Sequence, residues 1–167
     1  MRAHGLDHVS VTVSDLDRSL AFYHDLLGIP VLGRGEDDGP TLPGPRGPVR
    51  SRFLYADLRL GGGQILELLQ YLFPKHDPLH STVYAPGSGH IGLRVDNLER
   101  ALKGLVQAGV RPLFDPLRID EPAWWAGAYV VYVLDPDGTT VELVERPGTP
   151  TSRPSRARRR TATRRSP

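Results

Sequence analysis

A repeat within the chain limits its possible folds more than any other feature. Residues 8–20 (HVSVTVSDLDRSL) match residues 90–102 (HIGLRVDNLERAL) over thirteen positions without a gap. A second pair of matching segments follows, at residues 63–69 (GQILELL) and 138–144 (GTTVELV). Because repeated segments usually form repeated structural units, the sequence predicts two similar halves.

Each half predicts a strand, a helix and then two or three further strands. Polar and apolar residues alternate from His8 and from His90, which is typical of a strand with one buried face, and both histidines are on the polar face. Leucines at helical spacing follow, and Gly28 and Gly109 end the two predicted helices. Glycine-containing turns indicate hairpins. We therefore predict an α+β fold, with a mobile loop at residues 33–50, where five glycines and four prolines occur.

Two histidines and two glutamates occupy equivalent places in the repeat. Glu67 and Glu142 each interrupt an apolar segment, and a buried carboxylate must be paired or coordinated unless it faces solvent. If the halves pack about a pseudo-twofold axis, His8 and Glu67 can converge with His90 and Glu142 on one divalent cation. Two imidazoles and two carboxylates favour Zn, Ni, Co, Mn or Fe(II).

Four protein ligands on an octahedral cation leave two adjacent positions for a substrate with neighbouring oxygens. The cation would act as a Lewis acid, and Glu67 or Glu142 could loosen and serve as the catalytic base. An anion-binding or aromatic pocket is predicted from five further residues, namely Arg52, Arg94, Trp124, Trp125 and Tyr132. The two tryptophans would equally suit a cap on the core or a dimer interface.

These residues carry a resemblance to the vicinal oxygen chelate superfamily, the group of glyoxalases, bleomycin-resistance proteins and extradiol dioxygenases. The resemblance rests on three segments, residues 6–28 (LDHVSVTVSDLDRSLAFYHDLLG), 89–96 (GHIGLRVD) and 134–145 (LDPDGTTVELVE). The resemblance covers residues 4–146. It implies two paired βαβββ modules, at about 4–73 and 88–146, that form a cupped mixed sheet around a metal site. It also implies a small-molecule substrate and a homodimer.

The ligand set is most similar to glyoxalase I and methylmalonyl-CoA epimerase, which have four ligands at the places held here by His8, Glu67, His90 and Glu142. This similarity implies a metal-dependent lyase or isomerase that moves a proton in a small oxygen-chelating carbonyl compound. One alternative is an extradiol ring-cleaving dioxygenase, in which Glu67 would be surplus. Another is a non-catalytic resistance protein that binds an antibiotic or metabolite, although such relatives usually lack the full ligand set.

Composition limits the cellular setting. The absence of cysteine excludes disulfides and thiolate ligands, and no apolar run approaches the roughly 20 residues that span a bilayer, so we predict a cytoplasmic protein without membrane contact. From Arg146 the chain has eight arginines and no acidic residue, and subtracting them from the net charge of +2 leaves −6 for residues 1–145. Residues 147–167 are therefore predicted to be a disordered tail that contacts nucleic acid, if at all, through charge alone.

Overall fold

The computed structural model describes residues 1–43, 47–77 and 82–148, so the predicted tail lies outside the described residues from position 149 onward. In chain order the elements are β1 (His8–Thr12), α1 (Leu16–Leu20), a π-helical segment (Ala21–Leu26), β2 (Val31–Leu42), β3 (Val49–Arg59), a short 3-10 turn (Gly61–Gly63), β4 (Ile65–Phe73), β5 (His90–Arg94), α2 (Leu98–Gln107), β6 (Leu117–Ile119), β7 (Ala128–Leu134) and β8 (Thr140–Glu145). Each half is therefore a strand, a helix and three strands, and the predicted α+β fold with two βαβββ modules is confirmed.

The two modules have the same sheet topology. The strand orders are β1-β4-β3-β2 in the first sheet and β5-β8-β7-β6 in the second. The first strand of each module runs parallel to the last, and the remaining neighbours are antiparallel. In both sheets the strand that begins with a histidine lies at an edge, next to the strand that carries the glutamate.

The helices begin at equivalent caps, and each packs against strands of its own module. The side chains of Asp15 and Asn97 each accept a hydrogen bond from the backbone N–H three residues later, which satisfies one free donor at each helix start. One apolar cluster contains residues of both modules, so the modules share a core; its fully enclosed members include Tyr23, Leu58, Leu66, Leu68, Val131, Val133, Val141 and Leu143. No helix among the described residues is long and apolar enough to cross a membrane.

The prediction of a mobile loop at residues 33–50 is wrong for the part that the structure describes. Most of that segment belongs to β2, which pairs with β3 along its length despite two irregularities in register. A Cβ atom at Gly35 would lie 3.0 Å from the Tyr55 ring, and one at Gly39 would clash with the Phe53 ring. Gly35 and Gly39 therefore make room for side chains of β3, so at these two positions glycine reflects close packing and not flexibility.

The turn before β8 fastens the second module to the first. The Asp137 carboxylate accepts hydrogen bonds from the Ser14 backbone N–H (2.9 Å) and hydroxyl (2.6 Å) and pairs with the Arg18 guanidinium. Burial would raise the pKa of Asp137, but Ser14 and Arg18 hold it below its ordinary value. In the same turn, Asp135 accepts a buried hydrogen bond from the Tyr23 hydroxyl (3.0 Å). Burial, and then the charge of Asp135, raise the pKa of the Tyr23 phenol.

Candidate functional site

The first half-site is a group of three polar side chains on one face of the first sheet: His8, Glu67 and Asp57. The strand register pairs His8 with Ile65 and Asp57 with Glu67. Because side chains two residues apart share a face of a strand, Glu67 is on the same face as His8, and Asp57 lies directly opposite Glu67. This face is the less buried side of the sheet, since Leu66 and Leu68 point to the core.

Negative charge dominates this half-site. His8 donates from Nδ1 to the Asp7 carboxylate at 2.9 Å, and this bond, followed by the charge of Glu67, raises the pKa of His8 against the opposing effect of burial. Burial and the Glu67 charge raise the pKa of the Asp57 carboxyl. No arginine or lysine of the described segments forms an ion pair with Glu67 or Asp57. Two adjacent carboxylates without such a partner favour the binding of a cation.

The second half-site consists of His90, Glu142 and Tyr132 on the equivalent face of the second sheet. The His90 Nε2 lies 3.3 Å from the Glu142 Oε2, and the side chain of Glu142 is only 12% exposed. Tyr132 is the cross-strand partner of Glu142, and its ring centroid lies 5.2 Å from that of His90. Phe114 contacts the Tyr132 ring at the same centroid distance of 5.2 Å. Burial, and then the Glu142 charge, raise the pKa of the Tyr132 phenol.

The structure brings the four predicted ligands together as two pairs. Within residues 1–43, 47–77 and 82–148 of one chain, no three His, Asp or Glu side chains are grouped closely enough to hold a metal ion. Each pair nevertheless supplies one imidazole and one carboxylate from neighbouring parallel strands. Two such pairs form a set of two nitrogens and two carboxylates with a charge of about −2, which suits a divalent cation of the borderline class.

The predicted substrate-pocket residues do not all reach the same place. Arg94 and Tyr132 lie on the face of the second half-site, because they follow the alternation of β5 and β7. Arg52, in contrast, is exposed on the first module and is engaged by Glu36.

The two tryptophans have different surroundings. Trp125 packs against an apolar cluster of Ala128, Val130 and Val144, and the last two lie further along the strands that carry Tyr132 and Glu142. Trp124 is 71% exposed. The Arg146 guanidinium lies 4.0 Å from the Trp125 ring centroid, within the range of a cation–π contact. Trp125 therefore borders the second half-site, whereas Trp124 remains on the surface.

Three neighbours of the ligand pairs, Asp7, Asp57 and Phe114, were not predicted from the sequence. The position of Asp57 could have been predicted from the repeat, because Asp57 precedes Glu67 by ten residues, just as Tyr132 precedes Glu142. Asp7 adjoins His8, but adjacency alone does not predict a side-chain contact. Phe114 lies in the irregular segment between α2 and β6. No repeat or periodicity in the sequence predicts that this segment brings Phe114 into contact with Tyr132.

Comparison with known proteins places this architecture in a class. The structure is similar to that of a glyoxalase family protein from Bacillus cereus, with a TM-score of 0.72 and 20% sequence identity over 87% of this chain and 96% of that one. Residues 5–143 match the family model of the Glyoxalase/Bleomycin resistance protein/Dioxygenase superfamily. The chain belongs to this superfamily, which confirms the resemblance found in its sequence.

Particular relatives span nearly the same length. An uncharacterized protein of Bacillus subtilis, YwkD, is 28% identical over 84% of this chain and 95% of its own length. A lactoylglutathione lyase of Salmonella typhimurium is also 28% identical, over 83% of this chain and 90% of its own. The glyoxalase I structure of Leishmania major has a TM-score of 0.59 and 23% identity, covering 86% of this chain and 87% of that one. These names support a superfamily enzyme related to lyases.

Proposed function

We propose that this chain is a divalent-metal-dependent enzyme that transfers a proton within a small, oxygen-chelating carbonyl compound. The observation that carries the proposal is the presence of two equivalent histidine–glutamate pairs on equivalent faces of two sheets. Proton transfer would make the reaction an isomerisation or a lyase reaction. The similarity to a lactoylglutathione lyase supports the lyase side of this assignment.

His8, Glu67, His90 and Glu142 would hold the cation. The bound metal would supply Lewis-acid polarisation of a substrate carbonyl. Since one chain presents these residues as two separate pairs, we propose that a second copy completes the set. Each site of such a homodimer would take the first pair from one protomer and the second pair from the other, as the twofold symmetry of a dimer permits.

The chain's own contribution to the reaction is proton movement at a glutamate. Glu67 and Glu142 are the carboxylates of the two pairs, and a carboxylate oxygen can accept a proton from a carbon next to a carbonyl and return it to a neighbouring atom. Glu142 is well placed for this role because its side chain is largely enclosed.

Mixing two inactive variants tests the shared site. One variant carries His8→Ala and Glu67→Ala, and the other carries His90→Ala and Glu142→Ala. Each alone should bind no stoichiometric Co(II). After unfolding and refolding together, random pairing should restore about a quarter of the wild-type metal per chain, because half of the dimers would be mixed and each would have one intact site. A variant with His76→Ala and Glu99→Ala, which removes one exposed histidine and one exposed glutamate outside the two pairs, is the matched control.

The results separate several possibilities. No restoration on mixing would refute the shared site, and a wild-type protein that takes up no divalent metal would refute the metal enzyme. Activity is then tested as solvent-deuterium exchange across a panel of 2-hydroxy and 2-oxo carbonyl compounds. An iron-loaded protein that cleaves catechols and keeps activity without Glu67 would replace the proposal with a dioxygenase.

A further inference from the structure

The aromatic stack behind His90 has no part in the proton transfer proposed above. The planes of the His90 and Tyr132 rings are inclined by 33° at a centroid distance of 5.2 Å. On the far side, the Phe114 ring meets Tyr132 at 56° and the same distance. Tyr132 is thus held between an imidazole that carries a candidate metal-binding nitrogen and a phenyl ring packed against the core.

The backbone fixes this stack. Tyr132 lies in the middle of β7, and its carbonyl accepts a hydrogen bond from the Leu113 N–H at 2.8 Å. Pro112 forms a β-bridge with Val133, so the segment that carries Phe114 is attached directly to β7. The backbone of Tyr132 is therefore paired with β8 on one side and attached to the segment of Leu113 on the other, which fixes the point from which its ring extends toward His90.

The two candidate ligand histidines are held in different ways. A metal-binding histidine usually donates its second ring N–H to a carboxylate, a carbonyl or water, which sets the orientation of the ring. His8 fits this pattern, because its Nδ1 is bonded to Asp7. The only polar side-chain contact of His90 within the described chain is that of its Nε2 with Glu142. The Nδ1 side of His90 has no such side-chain partner among the described residues, and the ring of Tyr132 lies next to the imidazole instead.

We infer that Tyr132, backed by Phe114, is a positioning residue that orients His90 and so prepares the His90–Glu142 pair to bind the cation. The inference rests on the proposed metal function for its consequence, but the orientation itself is a property of the metal-free protein. The aromatic ring of Tyr132, and not its hydroxyl, is what orients the His90 imidazole in this proposal. Phe114 acts one step further away by keeping that ring in place.

Three variants and one control test this role. Tyr132→Phe keeps the ring, Tyr132→Leu removes it, and Phe114→Leu removes its support. Tyr129→Leu is the control, since Tyr129 is an exposed residue of the same strand on its opposite face. Thermal unfolding of each variant shows whether the fold is intact, and Phe114→Leu keeps the test decisive if Tyr132→Leu does not fold.

The first measurement is the NMR spectrum of the His90 ring protons in the metal-free protein. The ring-current shift caused by Tyr132 should persist in Tyr132→Phe, weaken in Phe114→Leu and disappear in Tyr132→Leu. The second is Co(II) affinity measured by competition with a chelator. The Co(II) affinity of Tyr132→Leu should be about 10- to 100-fold lower than that of the wild type, which is the usual effect of removing a residue that orients a metal ligand. The affinities of Tyr132→Phe and of the control should match the wild type.

The outcomes distinguish the two proposals. Unchanged His90 signals in Tyr132→Leu would overturn the positioning role, whatever the metal result. Equal losses of Co(II) affinity in Tyr132→Phe and Tyr132→Leu would overturn it too, because the hydroxyl would then be responsible. If the wild type takes up no Co(II), the proposed metal function fails, and the NMR result alone decides whether Tyr132 orients His90.

Discussion

The two half-sites are built on the same strands in the same order, yet they hold their ligands by different means. In the first, His8 is 52% exposed, is bonded to Asp7, and has a second carboxylate, Asp57, opposite Glu67. In the second, the position equivalent to Asp57 is Tyr132, which packs its ring against His90. Topology fixes where a histidine and a glutamate meet, but the neighbours of each pair have diverged.

In the proposed metal site, this difference would divide two requirements between the modules. The first half-site concentrates negative charge, which attracts a cation over several ångströms. The second half-site encloses its glutamate and places a ring against its histidine, which would reduce the conformational freedom lost on binding. A duplicated module can thus supply attraction from one copy and pre-organisation from the other.

The largest expected effect is a difference in kcat between variants of the two glutamates, Glu142 and Glu67. Glu142→Gln should lower kcat by about 10² to 10⁴, the usual contribution of a general base. Glu67→Gln should lower it less, because Asp57 still supplies a carboxylate on the same face. The double variant Asp57→Asn/Glu67→Gln should then fall to the level of Glu142→Gln. Steady-state kinetics at saturating metal provide the measurement, and equal losses in the two single variants would contradict this asymmetry.

A smaller effect concerns the contact that joins the halves. Asp137→Asn should lower the free energy of unfolding by about 1–3 kcal/mol, because the charge-assisted hydrogen bonds that Ser14 and Arg18 donate to this carboxylate, which is only 9% exposed, are lost. The folded-state pKa of Asp137 lies below its ordinary value. Its stabilising contribution is therefore complete above that ordinary value and disappears as pH falls through the folded-state pKa.

Urea unfolding at pH 7 and at about pH 3 checks this sign, since the difference between wild type and variant should shrink in acid. Asp120→Asn, which removes an exposed pair with Arg118, is the control and should change stability by less than about 1 kcal/mol at either pH. A difference for Asp137→Asn that stays constant with pH would mean that its charge is not what joins the modules.

The smallest effect tests the crowding of charge in the first half-site. Like charges opposite each other on neighbouring strands are destabilising, so Asp57→Asn should stabilise the metal-free protein by about 0.5 kcal/mol at pH 7. The folded-state pKa of Asp57 is raised, so its carboxylate opposes folding above the ordinary pKa, and the gain should vanish in acid. Thermal unfolding in a chelator measures this effect, with exposed Asp37→Asn as control. A loss of stability would show that Asp57 has a compensating partner.

The sequence predicted the strands and helices that carry the two half-sites, but it did not predict most of the differences between the half-sites. The repeat predicted a strand, a helix and two or three further strands in each half, and the resemblance implied that these are βαβββ modules. The repeat also placed each histidine and glutamate on equivalent strands, because alternation along a strand is a local property. The cross-strand neighbours depend on register, and only the ten-residue spacing of Asp57 and Tyr132 hinted at them. The segment at residues 33–50 was misjudged because glycine was taken as a sign of flexibility, whereas Gly35 and Gly39 accommodate aromatic rings.

The position of the histidine-bearing strands at the sheet edges has a consequence for assembly. If the cation is shared between copies through β1 and β5, metal binding and dimerisation are thermodynamically linked, and each strengthens the other. Dilution would then strip metal from the protein, and chelation would dissociate it. Specific activity would follow the concentrations of both chain and free metal, so that a cell could turn the enzyme on by supplying either one.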